Sequence, residues 1–389
     1  MDLNPIISIF NDEMINRELL NVLQDRLFKQ KAIIITGPRQ AGKTTLIRLL
    51  LNQINQPFVW FNADEPNVPG LFRSIASYEL KNLIGKNKIM VIDEAQRIKG
   101  IGLTLKLIVD SIPDVQVIAT GSSSFDLLDE INEPLTGRKF EYQLYPFSFG
   151  ELTKENGLLE EKRLMNHRLV FGSYPDVVNN PDDAVETLNW LADSYLYKDL
   201  FRTESIKKPD LIIKLLQLLS YQVGNEVSYN ELALNLSSDP KTIEKYIGLL
   251  EKTFVIFRLQ ALSRNLRNEV KKSRKIYFYD NGIRNAIINN FNPVHTRQDV
   301  GVLWENYLIS ERIKLAAYQR IHSNRFFWRT KLQQEIDYIE ERAGKMWAFE
   351  FKYNPSKTAN LSKSFINAYP EHNFKIINSD NYYEFLLQE

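Results

Sequence analysis

An α/β fold with a largely parallel sheet is predicted for the first part of the chain from three observations. Short continuous apolar runs alternate with segments of helical spacing, the first run leads directly into a glycine loop, and five such runs fall before Gly150. Met14 to Phe28 (MINRELLNVLQDRLF) carries apolar residues at helical spacing, and KAIIIT after it is short enough for a buried parallel strand. The later runs are FVWFNAD from Phe58, KIMVIDE from Lys88, VQVIATG from Val115 and EYQLYPF from Glu141.

A chain of 389 residues is long enough for two or three domains, each with its own core. With 44% hydrophobic and 25% charged residues and no low-complexity tract, it has the composition of an ordinary globular protein. Its 49 Lys and Arg nearly balance 48 Asp and Glu, so nucleic acid or an anionic membrane could be held only by local patches. The absence of cysteine excludes disulfides and thiolate metal sites, and four scattered histidines argue against zinc. The N-terminus MDLNPIISIFNDEM has no basic stretch followed by a long apolar core, and no run approaches the roughly 20 apolar residues of a membrane span. A cytoplasmic location without membrane contact is the expectation.

Residues 1–150 are therefore read as the α/β domain, and residues 151–206 as a helical lid or connector interrupted by the FGSYPDVV turn. In residues 207–298, Leu211 to Leu219, Tyr229 to Leu236 and Pro240 to Lys252 read as helices, and a hairpin begins at FVIFRLQ, which together make a winged-helix pattern. Residues 299–389 open with a helix, VLWENYLISERIKLAAY, and continue with candidate strands FFWRT, EIDYIEE, MWAFEFK and FKIINSD, a second α/β unit.

The glycine loop Gly37-Pro38-Arg39-Gln40-Ala41-Gly42-Lys43-Thr44, followed by Thr45, matches G-x-x-x-x-G-K-[ST] between an apolar strand and a helix. Backbone N–H groups of such a loop face a β-phosphate, Lys43 reaches the β and γ oxygens, and the Thr44 hydroxyl ligates Mg²⁺. ATP or ADP with Mg²⁺ is the implied ligand. The run from Ile89 ends in Asp93-Glu94, a Walker B form in which Asp93 holds the ion and Glu94 orients or deprotonates water. That acidic pair favours hydrolysis over transfer to a small molecule. The Val115 run ends at Thr120, Gly121 and Ser122, where Thr120 and Ser122 are sensor candidates or ordinary turn formers. Arg138 precedes the fifth run and is either a surface residue or a guanidinium for the γ-phosphate, of this subunit or a neighbouring one.

These motifs in this order resemble the AAA+ family of P-loop NTPases, in particular a bacterial and archaeal group with a GPRQ-G-KTT loop and an uncharacterised C-terminal domain. The matching stretches are GPRQAGKTTL, VIDEAQ, ATGSSS, LTGR, LYPFSFGEL and FGSYPDVV. The resemblance implies an ATP-binding core in which the Val115 strand lies between the Walker A and Walker B strands. It implies no physiological substrate.

The winged-helix region could lay a helix in a DNA groove, with Lys241, Lys245 and Lys252 and then Arg264, Arg267, Lys271, Lys272, Arg274 and Lys275 suited to phosphate contacts. Glu244, Glu251 and Glu269 are interspersed, and a packing role is the alternative. In the last unit, Glu305, Asp337, Glu350 and Lys352 resemble the PD-(D/E)-x-K centre of restriction-endonuclease-like nucleases, with Ile336 in place of the proline. The resemblance implies that Asp337 and Glu350 hold Mg²⁺, that Lys352 helps activate water and that Glu305 supports the metal. Alternation of Glu350 and Lys352 also fits a solvated strand face.

The expected function is an AAA+ ATPase whose nucleotide state moves the winged helix and the nuclease-like unit. The alternatives are a slow nucleotide switch or scaffold with an inert C-terminal fold binding a protein or DNA partner, and an ATP-controlled nuclease. A homo-oligomer fits any of them.

Overall fold

The computed structural model describes residues 14–73, 75–122, 131–194, 208–263 and 273–388. Its first sheet has five parallel strands in the order β2-β3-β4-β1-β5: β1 (Ala32–Thr36), β2 (Phe58–Asn62), β3 (Ile89–Asp93), β4 (Gln116–Gly121) and β5 (Lys139–Gln143). Every residue of β1, β3 and β4 is buried. Continuous apolar runs are what a sheet covered on both faces requires. Alternate residues serve opposite layers: Ile34, Met90, Ile92 and Val117 pack in one core, and Ile33, Ile35, Ile89 and Val91 in the other. The strand order places β4 between β3 and β1, as the resemblance to AAA+ proteins implied. Because all strands are parallel, the loops after β1, β3 and β4 open on the same edge of the sheet, where α/β folds bind ligands.

Helix α1 (Glu18–Gln24) is shorter than the periodic stretch from Met14 to Phe28, because Arg17 before it is extended, with φ −95° and ψ 131°. Helix α2 (Lys43–Ile54) follows the glycine loop directly.

The second sheet runs β11-β10-β9-β8-β6-β7, with β6 (Ile256–Ala261), β7 (Arg274–Phe278), β8 (Asn324–Arg329), β9 (Glu335–Arg342), β10 (Lys345–Phe351) and β11 (His372–Ile377). Here the structure departs from the expected division of the chain. The hairpin read as the wing of a winged helix, β6 and β7, is built into the sheet of the last unit, with Gln260 and Ala261 paired in parallel to Phe326 and Phe327 of β8. One apolar core runs from Phe149 through the connector and the helices Pro209–Tyr221, Tyr229–Asn235 and Pro240–Lys252 to Leu386. A hairpin pattern reads alike for a free wing and for the edge of a larger sheet, and the β6–β8 pairing spans too much sequence for local patterning to disclose. Arg264, Arg267, Glu269, Lys271 and Lys272 lie outside the described residues.

The Val300–Tyr318 helix is buried on nearly all sides, its polar residues included. Asn306 exchanges two hydrogen bonds with the Phe278 backbone at 2.7 and 3.0 Å. Arg312 donates to both Glu340 oxygens at 2.8 and 2.9 Å. Further along, Glu311 accepts from the Phe149 N–H at 2.6 Å, and Lys314 donates to the Phe147 carbonyl at 3.0 Å and the Ser173 hydroxyl at 3.2 Å. Burial pushes the Glu311 carboxyl above its ordinary range against the pull of Lys314. These bonds give the LYPFSFGEL stretch its structural role: it fastens the N-terminal domain to this helix. The FGSYPDVV stretch is fixed beside it, since Ser173 N–H donates to Asp280 Oδ2 at 2.8 Å and a Cβ on Gly172 would meet Asp280 Oδ1 at 2.0 Å. Only glycine fits against that carboxylate.

Candidate functional site

The loop between β1 and α2 closes around the Lys43 ammonium, which is buried and donates to the carbonyls of Gly37 at 2.9 Å and Pro38 at 2.8 Å. Gly37 is dictated by close approach, because a Cβ there would lie 2.0 Å from the Leu144 carbonyl oxygen of the segment after β5. Arg39 is half-buried, whereas Gln40 and Thr45 are exposed at the mouth of the loop; Gln40 has φ 56°.

Parallel pairing of β3 with β4 ends at Ile92 and Ala119, so Asp93 and Thr120 emerge side by side. The Thr44 hydroxyl donates to Asp93 Oδ2 at 3.0 Å. The Thr120 hydroxyl donates to Asp93 Oδ1 and accepts from the Glu94 N–H at 3.1 Å. Glu94 is left-handed, with φ 54° and ψ 40°, a conformation that costs a non-glycine residue roughly 1–2 kcal/mol and collects at functional sites. Its carboxylate accepts from the Gln96 side-chain amide at 2.5 Å, and the same amide nitrogen lies 3.1 Å from Ser122 Oγ. The structure thus brings Lys43, Thr44, Asp93, Glu94, Thr120 and Ser122 to one edge of the sheet. Gln96 was not singled out in the sequence, although it ends the VIDEAQ stretch.

Arg138 is the exception. Its carbonyl accepts from Ala32 N–H at the start of β1, which puts it at the opposite edge of the sheet, and its guanidinium is paired with Asp110 at 2.6 Å on the surface. A residue preceding a parallel strand cannot reach the phosphates at the strands' far ends, so a role at its own subunit's γ-phosphate is excluded.

A second residue missed in the sequence is Arg17. It is buried against the outside of the glycine loop and donates to the Ala41 carbonyl at 2.6 Å and to Glu151 at 2.9 Å. Burial opposes its charge, but Glu151 and Tyr318 keep it above the ordinary arginine value. No local signal marks Arg17, because its partners are distant in sequence.

In the second sheet, Asp337 on β9, Glu350 on β10, Lys352 beyond it and Glu305 on the Val300–Tyr318 helix do come together. Lys352 Nζ lies 2.7 Å from Glu350 and 3.9 Å from Asp337, and Asp337 accepts from the Phe351 N–H at 2.8 Å. Yet the cluster already contains a cation. The buried Lys275 ammonium lies 3.2 Å from Glu305 and 2.5 Å from Glu335, and the Tyr277 hydroxyl donates to Glu305 at 2.6 Å. This corrects the assignment of Lys275 to a phosphate-binding stretch, since its side chain is enclosed. Arg274 is likewise engaged, stacked 4.0 Å from the Tyr229 ring centroid. Burial raises Glu305 and Glu350 to about 7, Lys275 opposing this at Glu305 and Asp337 adding to it at both. Burial works against the Lys275 charge, but Glu305 and Glu335 hold it above the usual lysine value. Among the described residues, no three carboxylate or imidazole side chains are arranged to hold a metal ion. Lys275 already supplies positive charge to Glu305 and Glu335, as Lys352 does to Glu350, so Mg²⁺ would have to compete with two ammonium groups here.

Comparison with known proteins agrees with the division between the two sheets. Residues 29–153 match an AAA domain, residues 162–294 a domain of unknown function (DUF8612) and residues 300–388 another (DUF4143). An uncharacterized protein of Mycobacterium tuberculosis is 26% identical over 351 residues, 89% of this chain and 75% of that one. One of Haemophilus influenzae is 26% identical over 382 residues, 90% of each. Among solved structures, a Walker-type ATPase of Pyrococcus abyssi aligns with a TM-score of 0.51 at 17% identity, over 72% of this chain and 97% of that one, a likeness of fold. The chain is thus an AAA-type P-loop domain followed by two domains of families whose function is unknown.

Proposed function

We propose that the protein is a Mg²⁺-dependent ATPase whose nucleotide state is felt by its C-terminal body. The observation that carries this reading is the unbroken chain of contacts from Thr44 through Asp93 and Thr120 to Glu94. Thr44 and Asp93 present hydroxyl and carboxylate oxygens 3.0 Å apart, hard donors of the kind Mg²⁺ takes, so the residues fit the ion. Bound there, Mg²⁺ would neutralise charge on the phosphate oxygens. Lys43 would grip the β and γ oxygens, and the start of α2 would add its dipole. Glu94 would orient a water toward the γ-phosphorus and accept its proton while the bond to the β–γ bridging oxygen breaks, leaving ADP and inorganic phosphate. Steady-state hydrolysis by wild type and Glu94→Gln tests this; equal rates would remove the role assigned to Glu94.

For the C-terminal body, the Lys275 ammonium favours an inert nuclease-like fold that binds a protein or DNA partner under nucleotide control. Lys241, Lys245 and Lys252 on the Pro240–Lys252 helix are the residues through which DNA would be met. Incubation with single- and double-stranded DNA and Mg²⁺ or Mn²⁺ decides between this and a working nuclease. Cleavage lost in Asp337→Ala would overturn the inert reading, and binding without cleavage would support it. A role for Arg138 is left only in a neighbouring copy's site, which requires assembly. The absence of cysteine supports a reducing cytoplasm, and among the described residues no helix is long and apolar enough to cross a membrane.

A further inference from the structure

The donors of Arg17 reach three separate parts of the chain. Nη1 donates to the Ala41 carbonyl at 2.6 Å, Nη2 to the Tyr145 carbonyl at 2.5 Å and the Tyr318 hydroxyl at 3.3 Å, and Nε to Glu151 at 2.9 Å. The Tyr318 hydroxyl also accepts from the Tyr145 N–H at 3.1 Å. Tyr318 is the last residue of the Val300–Tyr318 helix, which carries Glu305 near its other end.

The Ala41 carbonyl and the Gly42 N–H belong to one planar trans peptide, so they point in opposite directions. A guanidinium that holds the carbonyl outward therefore holds the Gly42 N–H toward the inside of the loop, where phosphate N–H donors of such loops face. Contact is close: Nη1 lies 3.4 Å from where a Cβ on Gly42 would be. A carbonyl that accepts from a cation also polarises its own peptide and strengthens the N–H as a donor.

We propose that Arg17 is a positioning residue for the nucleotide's phosphates, aiming the Gly42 N–H from behind the loop and, through Tyr318, tying the loop to the Val300–Tyr318 helix. This rests on the nucleotide reading above and names the connection by which the bound nucleotide reaches the C-terminal body. Arg17 does not touch the nucleotide. It acts through the peptide between Ala41 and Gly42.

The test is the equilibrium dissociation constant for Mg-ADP and Mg-ATP of wild type, Arg17→Gln, Arg17→Lys and Tyr318→Phe, alongside kcat, KM and the thermal midpoint without nucleotide. A charge-assisted hydrogen bond to the loop predicts Kd raised about tenfold in Arg17→Gln, with partial recovery in Arg17→Lys. Tyr318→Phe removes the hydroxyl's contacts with Arg17 and with the Tyr145 N–H at almost constant volume and should raise Kd about twofold. A lowered midpoint with unchanged Kd in Arg17→Gln would mean a purely structural residue and overturn the proposal. If Arg17→Gln does not fold, Tyr318→Phe decides, and wild-type affinity in that protein would overturn it. Wild-type protein that binds neither nucleotide would instead sink the nucleotide reading itself.

Discussion

Thr44 Oγ1 and Asp93 Oδ2 are 3.0 Å apart, a hydrogen bond that joins the first turn of α2, after β1, to the end of β3 across the intervening strand β4. Asp93 has its second oxygen held by Thr120, so its carboxylate is fixed on both sides. Asp93→Asn should therefore lower Mg²⁺-supported hydrolysis by about 10²-fold or more, the scale set by removing one electrostatic stabiliser. A Mg²⁺ titration of the rate in both proteins checks it, and an unaltered Mg²⁺ dependence would remove Asp93 from the ion's site.

Gln96 restrains the Glu94 carboxylate by donating to it at 2.5 Å. Gln96→Ala should lower kcat by about tenfold with KM nearly unchanged, because the carboxylate loses orientation while the nucleotide keeps its contacts. A change confined to KM would show that Gln96 serves binding.

Lys275 lies among carboxylates in a place closed to water. Lys275→Met should destabilise the fold by about 3–5 kcal/mol near neutral pH, as when one partner of a buried pair is removed, and by less in acid. Urea unfolding at several pH values measures both effects.

Glu305 and Glu350 titrate near 7 in the folded chain against 4.5 for an ordinary glutamate. Between those values the folded chain binds more protons than the unfolded chain. Their contribution to stability therefore falls as pH rises through that window and is level above it. A Glu305→Gln, Glu350→Gln double variant should show a flatter pH dependence of unfolding across the window than wild type. Parallel curves would mean that neither carboxyl carries the effect.

Gly172→Ala would drive a methyl group to 2.0 Å from Asp280 Oδ1 at φ +69°. A loss of about 2 kcal/mol or more is expected. Asp280→Ala should relieve part of it in the double variant, as a thermal-unfolding cycle would reveal.

The first sheet and most of its site were legible because its three inner strands, β1, β3 and β4, are buried on both faces and read as largely apolar runs, and because the loop chemistry is local in sequence. Gly37, Lys43 and Thr44 lie within one turn of chain, and Asp93 and Glu94 end a strand whose sequence marks it. What escaped depends on distant partners. Arg17 acts on Ala41, Tyr145, Glu151 and Tyr318, and nothing in its neighbourhood predicts them. Lys275 has the sequence surroundings of a solvated basic stretch, yet β7 carries it inward beneath Glu305 and Glu335. Arg138 precedes a strand parallel to β1, so the expected parallel sheet already placed it at the end away from the glycine loop.

The strand pairing of β6 with β8 carries a consequence for how this chain can be divided. The two C-terminal family matches, residues 162–294 and 300–388, are separate as sequences but supply complementary strands to one sheet. Cutting between them would leave β8 with an open hydrogen-bonding edge and the middle segment with an orphan hairpin, both prone to self-association. The two segments are thus one folding unit, and domain swaps, truncations or shuffled genes that part them should yield insoluble halves unless both pieces are present together.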